Sequence, residues 1–154
     1  MKRNYWAAIA LVSVAVVWGA AFVLMKDAIE RDIARVVALH VRLYACRERL
    51  LAVTDDEALH DLRIALRQLR SLLRPLCAIA ACADLQQRAA QLGRLTGPLR
   101  DLEVLQAYLR QQGLDSAVQL RQPRLEQGYA ELLASAPLAQ LLRALDDWPQ
   151  QWRE

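Results

Sequence analysis

His60, Arg63, Arg67, Arg70 and Arg74 follow one another at spacings of 3, 4, 3 and 4. An α-helix turns every ~3.6 residues and rises ~1.5 Å per residue, so this spacing stacks the five side chains in one stripe roughly 21 Å long. Asp61 is the only acid within the span, and it lies off the stripe. Like charges at these spacings cost about 0.2–0.5 kcal/mol per pair, so the three Arg–Arg neighbours together cost ~1 kcal/mol. Folding does not require that cost. Guanidinium groups grip phosphate oxygens through paired hydrogen bonds and stay charged at any relevant pH. An arginine row without carboxylates is therefore built for an anionic partner, and a row repeating every ~5 Å suits an extended polyanion better than a point anion. His60 adds a further charge when protonated.

The element that must carry the stripe is a leucine-rich helix. Leu59, Leu62, Leu66, Leu69, Leu73 and Leu76 form a heptad-like seam, and each basic residue follows a seam leucine by one position, about 100° further round. The stripe should flank a helix–helix contact and line a groove between helices. Thr54-Asp-Asp-Glu57 has the form of a capping box, with Asp55 and Asp56 complementing the helix start, which places that start at about Asp55. Pro75 disfavours helical geometry at Arg74 and removes a donor, so a kink or stop is expected there.

The rest of the soluble region also reads as helix, with no window alternating at period two. Ile29, Ile33, Val36, Val37, Leu43 and Tyr44 trace an apolar face for the segment before Thr54. Further helices are expected from about Ala83 to Leu95 and from Leu99 to Gln111, with Pro98 near a helix start and Gly113 at a helix end. Helix is also expected over Asp115 to Leu133, interrupted near Pro123, and from Leu138 to Leu145, with a fraying end from Pro149.

Trp6 to Met25 is a run of twenty residues without a charge. At ~1.5 Å per residue it spans about 30 Å, the thickness of a bilayer core. It reads as a transmembrane anchor, with Tyr5 and Trp6 at one interface, rather than as a signal peptide, since no clear cleavage site follows. Lys26, Arg31 and Arg35 after the span outnumber Lys2 and Arg3 before it, which favours the C-terminal side facing the cytoplasm. The domains expected are residues 1–27, the anchor, and residues 28–154, a helical bundle. No Pro or Gly separates the end of the span from the helix that follows, so the two can be continuous.

Composition narrows the chemistry. The chain has 154 residues, 24% of them charged, and a net charge of only +3, so the arrangement of charge carries more information than its sum. Three cysteines, Cys46, Cys77 and Cys82, form no CxxC pair and read as reduced, buried, small hydrophobes. There is no paired-carboxylate cluster, glycine-rich phosphate loop or nucleophile–base pattern, so no catalytic residue, cofactor or metal ligand is assigned. Asp55, Asp56 and Glu57 are explained by capping, and His60 with Cys77 or Cys82 has the wrong spacing for zinc.

Two segments resemble one family. Glu57-Ala-Leu-His-Asp-Leu-Arg-Ile-Ala-Leu-Arg-Gln-Leu-Arg-Ser71 is similar to the signature helix of CHAD domains, the conserved-histidine α-helical domains. Leu95-Thr-Gly-Pro-Leu-Arg-Asp-Leu-Glu-Val-Leu105 is similar to that family's Gly-Pro-x-Arg-Asp turn. The resemblance covers roughly residues 30–150. It implies an all-α, antiparallel helical bundle that binds inorganic polyphosphate, with His60, Arg63, Arg67, Arg70, Arg74 and Arg100 as binding residues and Arg94 added to them. Asp101 matches the turn acid, expected to orient an arginine or favour a helix start. CHAD domains usually hold two similar halves, each with a basic helix facing a central channel. This chain has one such helix and resembles the N-terminal half, so the far wall would come from a second copy in a homodimer or be absent. Gln68 stands where many members carry a second consecutive basic residue. Trp18 to Lys26 is weakly similar to the first helix of EamA-type transporters, which need many spans; transport by this chain is not expected.

The expected function is non-catalytic polyphosphate binding by a membrane-anchored domain in the cytoplasm, or at a polyphosphate granule if the N-terminal segment is not inserted. Four other readings stay open: a solvated arginine face, nucleic-acid binding, binding of anionic lipid headgroups, and a fragment or fusion with no independent activity. Nucleic acid ranks below polyphosphate because no aromatic residue interleaves the stripe for base stacking.

Overall fold

The computed structural model describes the backbone of residues 2–53 and 55–151 and the side chains of residues 12–53 and 55–148. The described residues form α-helices and no strand: α1 (Lys2–Ala52), α2 (Ala58–Leu73), α3 (Ala80–Leu95), α4 (Gly97–Gln111), α5 (Asp115–Leu133) and α6 (Ala136–Gln151). A 3₁₀ turn, Arg74–Leu76, follows α2. The chain divides into two compact units, residues 1–37 and 38–154.

The first unit is helical throughout its described residues. α1 is the one described helix long and apolar enough to cross a membrane, and its apolar window has no protein cover. Val14, Val17, Trp18 and Phe22 all stand exposed. A row of large apolar side chains left bare in this way is what a lipid-facing segment requires. The expected interfacial position of Tyr5 and Trp6 lies outside the described side chains.

The second unit is built on the leucine seam of α2. Leu59, Leu62, Leu66, Leu69 and Leu73 are all 0–1% exposed, while Leu76, in the 3₁₀ turn, is only half-buried. Burying each such leucine contributes about 1.5–3 kcal/mol. α3 packs on α2 and on α6, and α4 packs on α5 and on α3. Leu85, Ala89 and Leu92 of α3 and Leu138, Leu141 and Leu145 of α6 complete the core, with Trp148 also buried. Gly128 lets α5 approach α4 closely: a Cβ there would meet Leu99 Cδ1 at 2.5 Å.

Several local expectations need correction. α2 begins at Ala58, not Asp55, with Glu57 as its cap residue. Thr54, and with it the expected capping box, lies outside the described residues; the Glu57 amide donates to Asp55 Oδ1 at 3.0 Å. Asp55 is recruited to the turn because it also accepts from Arg49 Nε and Nη2, at 2.9 and 2.6 Å. Within the second unit, the buried side of α1 is Leu43, Cys46 and Leu50. Ile29 and Val37, expected on the apolar face, are exposed. Cys46 and Cys82 are buried as expected, but Cys77 is exposed in the bend after the 3₁₀ turn. Pro123 does not interrupt α5, since neighbouring turns hold the helix through the one missing donor. α6 starts at Ala136 and runs through Pro149 to Gln151, with the Ser135 hydroxyl accepting from the Leu138 amide. Gly113 supplies the left-handed turn after α4, at φ 69°.

Candidate functional site

The α2 stripe opens onto a groove of about 590 Å³ walled by α2, α3 and α4. His60, Arg63, Arg67 and Arg70 line it from α2, Arg94 from α3 and Arg100 from α4. The positions follow from the leucine seam: once the leucines face α3, residues one place later point along the α2–α3 edge. Ile64, Ala90, Gly93 and Val104 form its floor and sides. The small residues on α3 leave the space that the long arginines occupy. Among the described residues, no acidic and no aromatic side chain lines the groove.

Arg74 is exposed and does not line the groove. Arg74 still has α-helical backbone angles, φ −53° and ψ −47°, and its amide donates to Arg70 O, so Pro75 does not unwind the chain at Arg74 as expected; α2 passes there into a 3₁₀ turn, at the end of the row. Six of the seven expected residues are thus brought together, and Arg74 is not.

The six differ in how they are held. Arg67, Arg70 and Arg94 are exposed, and no described carboxylate lies within ion-pair distance of them. Arg63 is tied down: its Nη1 donates to Gly93 O and to Thr96 Oγ1, both at 2.9 Å. These two bonds join the middle of α2 to the α3–α4 turn, and they leave the rest of the guanidinium for other acceptors. Thr96 is fully buried, with its hydroxyl also near Leu92 O at 3.1 Å and Gly93 O at 3.2 Å. Arg100 is paired with an acid: Nη1 donates to Glu103 Oε2 at 2.8 Å, and Nη2 lies 4.0 Å from Glu57 Oε2. Glu103 is buried at 8% exposure and also accepts from the Tyr129 hydroxyl of α5. Burial first, then the bond to Glu103 and its charge, raises the Tyr129 pKa far above the ordinary phenol range.

On its other side α2 is clamped to α1. Asp61 accepts from Arg49 Nη1 at 2.7 Å and from Arg42 Nη2 at 3.2 Å. The Arg49 bond, ahead of the one from Arg42, holds the Asp61 carboxyl below the usual carboxylate range. The one acid within the stripe's span is therefore consumed by α1 and leaves the row uncompensated.

The family model for the CHAD domain matches residues 35–154. The chain belongs to the CHAD family. The match takes in every groove residue and both motif segments. CHAD domains in general are binding domains for polyphosphate rather than catalysts. No curated protein and no solved structure matches the chain.

The CHAD turn acid departs from expectation. Asp101 is exposed and faces a second hollow between α4 and α5, together with Arg124 and Glu131. The described ion pairs of Arg100 are with Glu103 and Glu57 rather than with Asp101. Thr96, Glu103 and Tyr129 were not identified from the sequence. Thr96 and Glu103 lie in the turn motif, but their roles depend on partners 33 and 26 residues away.

Proposed function

We propose that this CHAD domain binds inorganic polyphosphate, without catalysis, in the groove of His60, Arg63, Arg67, Arg70, Arg94 and Arg100, with Arg74 extending the row beyond it. One observation carries the reading: five arginines from three helices meet in a groove that no described carboxylate lines. Bringing like charges together is unfavourable without a counter-charge, and guanidinium groups match phosphate oxygens in geometry and charge. The absence of aromatic lining favours a polyphosphate chain over single-stranded nucleic acid, which is held largely by base stacking. The exposed apolar helix of the first unit anchors the protein in a membrane, with the domain on the cytoplasmic side. A second copy of the chain supplies the far wall of the groove.

The test is a titration of the full chain, in detergent micelles, with long-chain polyphosphate at two salt concentrations, with light scattering on the same sample. Tight binding at low salt that weakens steeply with added salt is expected, because bound phosphates release counterions. Polyphosphate should displace duplex and single-stranded nucleic acid, and not the reverse. Absence of binding at low salt, or affinity indifferent to salt, overturns the proposal.

A further inference from the structure

Arg100 stands apart from the other groove arginines, because both oxygens of a buried acid are committed to its surroundings. Glu103 Oε2 accepts from Arg100 Nη1 at 2.8 Å, and Glu103 Oε1 accepts from the Tyr129 hydroxyl. The Arg100 side chain is 22% exposed and that of Glu103 8%. A surface arginine samples many rotamers, whereas this one is gripped at Nη1, while Nη2 lies 4.0 Å from the exposed Glu57 carboxylate, beyond hydrogen-bond distance, so N–H donors remain for other acceptors. Tyr129 comes from α5, which has no residue in the groove. The close approach of α5 at Gly128, against Leu99, brings the phenol to the acid. A carboxylate under a cationic groove also subtracts charge, so its presence needs a reason beyond attraction of anions.

We infer that Glu103 and Tyr129 are positioning residues: Tyr129 fixes the Glu103 carboxylate, and Glu103 fixes the Arg100 guanidinium in the orientation in which its free N–H groups face the groove. The inference rests on the polyphosphate reading for its functional consequence, but the orientation of Arg100 exists without ligand. Pre-organised donors lose less freedom when a ligand binds, which offsets the charge that Glu103 removes. The arrangement also makes the α4–α5 contact, remote from the groove, a determinant of affinity.

The test uses the full chain in detergent micelles and three variants, Tyr129→Phe, Glu103→Gln and Arg100→Ala, each checked for helicity. Without ligand, nitrogen-15 NMR of the arginine side chains reads rotation of the Arg100 guanidinium. Slow rotation is expected in the parent and faster rotation in Tyr129→Phe; equal rates overturn the inference whether or not polyphosphate binds. With polyphosphate, Tyr129→Phe should weaken binding roughly three- to tenfold, about the net worth of one ordinary hydrogen bond, because the lost bond acts on the ligand only through Glu103 and Arg100. It should have no further effect in the Arg100→Ala background, whereas a general loss of packing would weaken both backgrounds equally. Glu103→Gln separates positioning from neutralisation. Weaker binding supports positioning, and tighter binding means that Glu103 only subtracts charge and overturns the inference. A parent that fails to bind polyphosphate refutes the proposed function, while the rotation rates still decide the positioning claim.

Discussion

Replacing Arg67 and Arg70 together by alanine probes the groove at its least encumbered point. Both side chains are exposed, both line the groove, and no described carboxylate neighbours them. A hydrogen bond to a charged group contributes about 1.5–3 kcal/mol, and solvent at an exposed site trims this to ~1 kcal/mol per arginine. The double variant should therefore lose ~2 kcal/mol of binding, about thirtyfold in affinity. The fold should not suffer. Removing the like-charge pairs returns a few tenths of a kcal/mol, and alanine is the better helix former. By analogy with single-stranded nucleic acid, five phosphate contacts give a salt slope of about −3.5, and loss of two moves it to about −2. Calorimetric titration with polyphosphate over a range of salt, with circular dichroism in parallel, measures all three quantities. Unchanged affinity and slope, with helicity intact, would refute the reasoning. So would an affinity loss that leaves the slope untouched, because phosphate contacts cannot be removed without changing counterion release.

Other outcomes follow from the same contacts. Arg63→Ala should weaken polyphosphate binding and also lower stability by about 1–2 kcal/mol in urea unfolding, because the Gly93 and Thr96 bonds are lost with it; stability equal to that of the parent would contradict the clamp. The depressed Asp61 carboxyl makes the α1–α2 clamp a source of stability that is present above the unfolded aspartate value of ~3.9 and lost as pH falls through the lower folded value. Asp61→Asn should flatten that acid limb in thermal melts. The raised Tyr129 pKa works in the opposite direction: its stabilisation is complete below the unfolded tyrosine value of ~10 and declines as pH rises above it. Tyr129→Phe should remove that alkaline decline, and a decline of the same size in the variant would assign it elsewhere.

The α2 seam and stripe were legible because both depend on one helical period, which residues 59–73 display without interruption. Helix starts were less legible. The Glu57 amide donates to Asp55, which Arg49 of α1 also holds, a long-range partner that residues 54–57 alone do not signal. Arg74 fits the spacing and keeps α-helical backbone angles, but it stands at the last turn of α2, beyond the residues that line the groove, and spacing along one helix does not register where the neighbouring helices stop. Arg100 was reached through the resemblance of its turn, but its acid, Glu103, was not, because neighbours in sequence do not reveal which side of α4 faces α5. Tyr129 carried no local signal at all: its only relevant property is a contact with Glu103, 26 residues away.

The most direct measurement is a structure of the chain with bound polyphosphate. The expected result is a phosphate chain in the α2–α3–α4 groove, its oxygens within hydrogen-bond distance of the Arg63, Arg67 and Arg70 guanidinium groups. Phosphates bound only elsewhere, for example beside Arg124 in the hollow between α4 and α5, with the groove arginines making no contact, would contradict it.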